Sequence, residues 1–92
     1  AAPNPFSPDD EITRFFYKTN KPESKITIRI FDFGMNPVRT LIQNAARSGT
    51  DELFTSWDGK NDNGYKDANG VYFYRVEFDK EDPVWGKIVL LQ

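Results

Sequence analysis

The segment from residue 57 to residue 74 limits what this chain can fold into more than any other part of the sequence. It begins Trp-Asp-Gly, continues through a run rich in Asn, Asp and Gly, and ends Gly-Val-Tyr-Phe-Tyr. Aromatic and β-branched residues favour strands, whereas Asn, Asp and Gly supply the positive φ angles and side-chain-to-backbone bonds that turns need. The segment therefore predicts two strands of a β-domain that are joined by one long turn.

The remaining sequence repeats this pattern of strands and turns. Its clearest strand is 25–32, where Ile26, Ile28 and Ile30 alternate with residues of the other face, the period-two pattern of a half-buried strand. Further strands are predicted at residues 12–18, 38–43, 52–57, 71–78 and 85–91, and only residues 38–47 carry a weak helical signal. Short strands with turns about every ten residues indicate an all-β fold, and we predict an antiparallel β-sandwich of about seven strands.

One face of each strand supplies the predicted core. It comprises Phe15, Tyr17, Ile26, Ile28, Ile30, Val38, Leu41, Trp57, Tyr72, Tyr74 and Val76. The last strand adds either Ile88 with Leu90 or Val89 with Leu91. Because buried tyrosines need partners for their hydroxyls, we expect at least one of them to hydrogen-bond to a loop backbone.

The N-terminal segment differs from the rest in composition. Residues 1–8 hold three prolines and one phenylalanine, so they cannot form a central strand or a helix. We predict that residues 1–8 are a proline-rich linker anchored by Phe6, and that residues 9–92 are one β-sandwich domain. A chain of 92 residues is large enough for one two-layer core and too small for a second domain.

The composition excludes several functions. The chain has no cysteine and no histidine, which removes thiol chemistry, zinc sites built on Cys or His, and the commonest general base. Its net charge is -2, so it lacks the concentrated basic face that nucleic-acid binding needs. No apolar run approaches the roughly 18 to 20 residues of a membrane span. We therefore expect no enzyme activity, no cofactor, no nucleic acid and no membrane span.

Two groups of oxygen-bearing side chains are candidate sites. Asp9, Asp10 and Glu11 point apart on an extended chain, so they are interpreted as a solvated charge run, and no catalytic residue is predicted. The second group lies in the long turn and could bind calcium through Asp58, Asn61, Asp62, Asn63 and Asp67. In the EF-hand pattern an Asp stands about five residues before the invariant Gly. Here Gly59 holds that position before Gly64, so the spacing does not match an EF-hand. We predict a structural turn and keep calcium binding as the alternative.

Outward-facing aromatic residues are a third candidate. The core assignment directs four of them away from the core, and these are Phe16, Phe31, Phe54 and Phe73. Exposed neighbouring aromatics can dock a neighbouring domain, although the stems of Arg29 and Arg75 could equally cover them. A sugar-binding platform is the remaining option, but it usually uses Trp or Tyr, and both Trp residues are assigned to the core and the last strand.

Several segments occur in the order and form of one known family. They read Asn4-Pro5-Phe6, Ile28-Arg29-Ile30-Phe31-Asp32, Val38-Arg39-Thr40-Leu41, Trp57-Asp58-Gly59, Gly70-Val71-Tyr72-Phe73-Tyr74-Arg75 and Lys87-Ile88-Val89-Leu90-Leu91. In sequence and in order, these segments resemble the FlgD-type immunoglobulin-like domain. The resemblance implies an immunoglobulin-like sandwich and a structural role for Asp58 in Trp-Asp-Gly. Many members have a Leu-Gly turn where this chain has Phe33-Gly34-Met35-Asn36-Pro37, a departure that alters one hairpin and not the fold.

The resemblance also implies a biological setting. Such domains are often the last module of large secreted bacterial enzymes and adhesins, and they are similar to the C-terminal sorting domains that the type IX secretion system reads. We therefore expect a non-enzymatic, C-terminal accessory module of a secreted or cell-surface bacterial protein that acts in sorting, anchoring or spacing. Its partners would be neighbouring domains, or secretion or anchoring machinery met through the last strand. The alternatives are a carbohydrate-binding module and, after the protein that names the family, a flagellar hook-cap assembly domain.

Overall fold

The computed structural model of the chain describes residues 4–8, 12–17, 23–48 and 53–91, with the backbone alone at residues 53 and 54. These residues form six strands, which are β1 (Thr13–Tyr17), β2 (Ser24–Phe31), β3 (Pro37–Arg47), β4 (Leu53–Trp57), β5 (Gly70–Phe78) and β6 (Val84–Leu90). Within the described ranges no helix is long and apolar enough to cross a membrane.

The strands form two antiparallel sheets. One contains β1 and β4, and the other has the order β3-β2-β5-β6. Side chains of both sheets meet in a shared core, so the fold is the predicted antiparallel β-sandwich. The described residues form six strands instead of about seven.

The core consists of two adjoining clusters. The first contains Phe6, Phe15, Ile30, Trp57, Tyr72, Ile88 and Leu90, and the second contains Tyr17, Ile26, Ile28 and Val76. Val38, Leu41 and Tyr74 are partly buried and pack against these clusters. The core prediction is confirmed, and β6 directs Ile88 and Leu90 inward rather than Val89 and Leu91.

Two buried tyrosine hydroxyls have the partners that their burial requires. The Tyr72 hydroxyl donates to the carbonyl oxygen of Ala68 at 2.6 Å, just before β5 begins. The Tyr17 hydroxyl lies 3.2 Å from Thr55 Oγ1 on β4, the neighbouring strand of the same sheet. The first bond confirms the prediction that a buried tyrosine reaches a loop backbone, which is the arrangement of a tyrosine corner.

The length of β3 was wrongly predicted. Residues 44–47 are small and polar, and the sequence placed them outside the strand, but β3 continues to Arg47 because Ala45 and Arg47 pair with Ile26 and Ser24 of β2. The pairing contains register shifts, and Asn44 takes a φ of 50°, a left-handed angle that Asn tolerates. Its backbone N–H donates to Thr27 Oγ1 at 3.0 Å. Pairing with β2 therefore outweighs the low strand propensity of this segment.

The N-terminal residues 4–6, called the strap below, attach to β6. Phe6 forms a parallel bridge with Leu90, and its side chain is only 1% exposed within the first core cluster. The ring of Phe6 lies 5.7 Å from that of Trp57, centroid to centroid. Phe6 is thus an anchor of the N-terminal segment, while the division between linker and domain at residue 8 stays a prediction.

Candidate functional site

The outer face of the four-stranded sheet carries the most distinctive group of surface side chains. Strand alternation turns Phe31, Phe73, Arg75 and Trp85 away from the face that bears the core residues. Phe31 is paired directly with Phe73 across β2 and β5, and Arg75 with Trp85 across β5 and β6. Together with Phe33 of the β2–β3 turn, these residues are called the outer cluster.

Aromatic and cationic contacts hold the outer cluster together. The rings of Phe31 and Trp85 lie 5.6 Å apart, and those of Phe33 and Phe73 lie 6.2 Å apart. The guanidinium carbon of Arg75 lies 4.8 Å from the Phe31 ring centroid and 5.1 Å from that of Trp85. A guanidinium at these distances is attracted to both ring faces and also covers them.

Glu77 forms ion pairs with both Arg75 and Arg29. Glu77 Oε1 lies 2.6 Å from Arg75 Nε, and Glu77 Oε2 accepts a hydrogen bond from Arg29 at 2.9 Å. Arg29 and Arg75 are directly paired across β2 and β5, where two like charges would repel each other. Glu77 offsets this repulsion and so favours the placement of the Arg75 guanidinium above the two rings.

The structure separates the four aromatic residues that the sequence grouped as an interaction surface. Phe31 and Phe73 lie side by side on the outer face, whereas Phe16 lies on β1 of the other sheet, 55% exposed. The side chain of Phe54 lies outside the described residues, as do Asp9, Asp10 and Glu11. A role of these four residues as an interaction surface stays a prediction.

Phe31 points away from the core as expected, and of the two alternatives, an exposed ring or one covered by arginine stems, the structure shows the covered ring. Phe31 is only 7% exposed because Arg75 and Trp85 cover its ring, which is the covering role considered for arginine stems. The exposed members of the outer cluster are Trp85 at 47% and Phe33 at 75%, and neither was predicted. The alternation of β6 carried the signal for Trp85, because Ile88 and Leu90 facing inward require Trp85 to face outward.

The long turn, residues 58–69, is built from hydrogen bonds between its own side chains and backbone. Asp58 Oδ1 accepts from the N–H of Lys60 at 3.0 Å, and Asn61 Oδ1 accepts from the N–H groups of Asn63 and Tyr65 at 3.0 and 3.1 Å. Gly59 and Gly64 adopt φ angles of 79° and 82°, which favour glycine. A Cβ at Gly59 would also approach Pro8 to 2.7 Å. Each of these features is one that a structural turn requires.

Arg39 of β3 joins the turn to the four-stranded sheet. Its NH1 group donates to Asp58 Oδ1 at 3.2 Å and to the Lys60 carbonyl oxygen at 3.0 Å, and its Nε lies 4.0 Å from Asp62 Oδ1. The same Asp62 oxygen accepts from the N–H of Thr40 at 3.0 Å. A guanidinium therefore supplies the positive charge that these carboxylates face, and sequence patterning gave no signal for this pairing.

The remaining members of the calcium candidate have different surroundings. Burial raises the pKa of Asp67, with Arg39 opposing this and Asp32 adding to it. Asn63 is exposed, and its backbone N–H bonds to Asn61. Among the described residues no group of three or more Asp or Glu side chains is arranged to hold a metal ion. A structural turn stays the prediction and calcium binding the alternative, and a thermal melt with calcium and with a chelator can distinguish the two.

An open depression of about 340 Å³ lies beside Phe33 at one end of the outer face. The β2–β3 turn and the loop before β5 line it, through residues 32–34 and 68–72. Tyr72 is among the lining residues, although its side chain belongs to the first core cluster, and burial raises the pKa of its hydroxyl, with smaller contributions from Asp67 and Asp32. The depression extends the exposed surface around Phe33 and adds backbone and side-chain oxygens to it.

The fold and its surface define an immunoglobulin-like β-sandwich domain whose distinctive side chains lie on one sheet face. The chain belongs to the FlgD Ig-like domain family, because the model of that family matches residues 6–82. Domains of this type are non-catalytic accessory domains. The match ends before β6, so the resemblance noted for residues 87–91 lies outside it. Neither the curated proteins nor the solved structures contain a match to this chain.

Proposed function

We propose that this domain is a non-catalytic accessory module of a secreted or cell-surface bacterial protein. Its role is to sort, anchor or space that protein, and the outer cluster is the surface through which it docks on a neighbouring domain. Family membership supports the accessory role. The observation that carries the docking role is the outer cluster itself. In it Trp85 of β6 and Phe33 of the β2–β3 turn remain exposed, while Arg75 lies between aromatic rings and the Glu77 carboxylate.

Large aromatic and arginine side chains are the residues that dominate protein interfaces. They bury much apolar area and lose little conformational entropy when their orientation is already fixed. The outer cluster offers both types on adjacent strands, where the backbone holds their spacing. Backbone pairing through the last strand, which the sequence suggested, is less suitable, because the strap already bonds to Val89 of β6 and to Leu91 just after it.

The test uses the native gene in its host. Deletion of residues 4–91 is expected to abolish delivery of the parent protein to the cell surface or medium, measured by quantitative immunoblotting of cell fractions. The double variant Phe33→Ala with Trp85→Ala should reduce delivery while the domain still unfolds cooperatively well above the growth temperature of the host. Phe16→Ala is the matched control, because it removes an exposed aromatic from the other sheet.

Unchanged delivery after the deletion would overturn the sorting and anchoring roles. Normal delivery of the double variant would overturn the docking role of the outer cluster and leave the deletion result standing. A short parent gene beside flagellar genes would instead support the hook-cap alternative.

A carbohydrate-binding role is the second candidate, and the exposure of Trp85 is the observation that favours it. Trp85 is 47% exposed on the outer face of the sheet, with Arg75 beside it and Lys87 paired with the neighbouring Phe73. Aromatic faces of this kind can stack on sugar rings. Titration with soluble polysaccharides should then change the fluorescence of Trp85 selectively, since Trp57 is buried. The absence of any change across neutral and acidic polysaccharides would remove this candidate.

A further inference from the structure

The strap and β6 are joined by backbone and side-chain hydrogen bonds. The N–H of Phe6 donates to the Val89 carbonyl oxygen at 3.0 Å, and the N–H of Leu91 donates to the Phe6 carbonyl oxygen at 3.0 Å. Asn4 Nδ2 donates to the Lys87 carbonyl oxygen, and Asn4 Oδ1 accepts from the N–H of Val89, each at 2.8 Å. The Asn4 side chain thereby takes the place of the backbone groups of one more strand residue and lengthens the short parallel pairing.

The parallel direction of this pairing determines how it responds to tension. Phe6 and Leu90 form a parallel bridge, so the strap and β6 run the same way along one axis. Tension applied before Asn4 and after Leu91 pulls the two segments past each other along that axis. The hydrogen bonds then carry the load together, whereas an antiparallel pair that is pulled apart from one end opens one bond at a time.

The side chain of Phe6 adds a second resistance to sliding. It is buried in the first core cluster with Trp57 and Leu90, so movement of the strap along β6 would withdraw the ring from the core. Withdrawal exposes a large apolar surface to water, which is unfavourable. Hydrogen bonds and burial therefore oppose the same displacement.

We infer that the strap and β6 form a mechanical clamp, through which the domain transmits tension between the chain segments on its two sides without unfolding. Force-bearing is a function beyond sorting or docking, and it gives a spacer or anchor the property that a link under load requires. The clamp depends on the fold and not on a partner. Its test can therefore fail while the proposed function holds, and the proposed function can fail while the clamp is confirmed.

Single-molecule pulling along two axes tests the clamp. The chain contains no cysteine, so handles can be attached at single introduced cysteines without interference. Ala1→Cys with Gln92→Cys loads the strap and β6 in shear. Ala68→Cys with Gln92→Cys loads the β5–β6 pair from the end where Gly70 pairs with Leu90, which opens that pair progressively. We expect an unfolding force about twofold or more higher along the first axis at the same pulling rate, because forced unfolding follows the barrier on the loaded path.

The variant Asn4→Ala separates the clamp from general stability. It should lower the unfolding force along the terminal axis and leave the force along the second axis unchanged. Asn63→Ala, which alters an exposed asparagine of the turn, should change neither. Equal forces along the two axes would overturn the inference, as would an Asn4→Ala effect of the same size on both.

Discussion

Both faces of the four-stranded sheet carry large apolar side chains, but the faces are covered in different ways. On the inner face, Ile26, Ile28 and Ile30 are fully buried against the two-stranded sheet, Ile30 in one cluster with Phe15 and Trp57, and Ile26 and Ile28 in the other with Tyr17. The packing there is tight, since a Cβ on Gly86 would overlap the ring of Tyr74. The inner face is therefore committed to the stability of the fold.

On the outer face, the apolar side chains are covered by other side chains of the same sheet. Phe31 is nearly as buried as the core residues, but its cover is the guanidinium of Arg75 and the indole of Trp85, which themselves remain partly exposed. Such a cover leaves aromatic and cationic surface in contact with solvent. The difference shows how one sheet can stabilise the domain with one face and keep the other available to a partner.

The strongest test of this comparison is truncation of one tryptophan on each face. Trp57→Ala should lower the free energy of unfolding by about 3 to 5 kcal/mol, the usual cost of removing a large core aromatic. It also removes the bond from Trp57 Nε1 to the Lys60 carbonyl oxygen, 2.9 Å long. Trp85→Ala should cost about 1 kcal/mol or less, as partly exposed positions do. Urea unfolding measures both, and similar losses would contradict the distinction between the faces.

A second test asks how much the cover on the outer face contributes. Phe31→Ala should lower the free energy of unfolding by about 1.5 to 3 kcal/mol, the value of burying a Phe side chain. Phe16→Ala is the control, because that ring is more than half exposed, and it should stay within about 0.5 kcal/mol of wild type. A negligible loss of unfolding free energy for Phe31→Ala would mean that packing within the outer cluster does not stabilise the domain.

The inner face was predictable from the sequence because local alternation decides which residues share a face. Ile26, Ile28 and Ile30 alternate without interruption, and the structure buries all three. The partner of Tyr72 was foreseen in kind, since a buried hydroxyl near the start of a strand needs a nearby carbonyl group.

The cover of the outer face was not predictable, because it depends on which strands become neighbours and in what register. Trp85 reaches Phe31 because β6 and β2 both pair with β5, an order that alternation within one strand cannot reveal. Arg39 meets Asp58 for the same reason, through the folding of the long turn onto β3. These contacts join segments that are far apart in the sequence.

A third test uses salt, because only the outer face depends on charge. Glu77→Gln should lower the free energy of unfolding by about 0.5 kcal/mol, the scale of a partly exposed ion pair. The loss should shrink at high salt, which screens such pairs. Ile28→Val, on the inner face, should cost about 0.5 to 1.5 kcal/mol at every salt concentration. A salt-independent loss for Glu77→Gln would show that packing, not charge, holds Arg75 over the rings.

The smallest expected effect concerns a carboxyl group beside the inner face. Asp67 lies close enough to Tyr72 to raise the pKa of its hydroxyl, and burial raises the pKa of Asp67 itself above its usual value of 3.8. A raised pKa in the folded state means that the folded protein is most stable while the group is protonated. Stability then falls as pH rises from the unfolded pKa through the folded one. Asp67→Asn should remove this fall, giving a thermal midpoint slightly above wild type at neutral pH and equal to it in acid.

Asp79 provides the opposite case for comparison. The N–H of Lys25 and the hydroxyl of Ser24 donate to Asp79 Oδ1 at 3.0 and 2.9 Å and hold the pKa of that carboxyl below its usual value. Its contribution is present above the unfolded pKa and is lost as pH falls through the folded one. Asp79→Asn should therefore lower the midpoint at neutral pH and have no effect in acid. Thermal melts from acid to neutral pH should show the midpoints of the two variants diverging from wild type in opposite directions as pH rises. A midpoint of Asp67→Asn below wild type at neutral pH would contradict the prediction, because it would mean that the folded protein favours the charged form of Asp67.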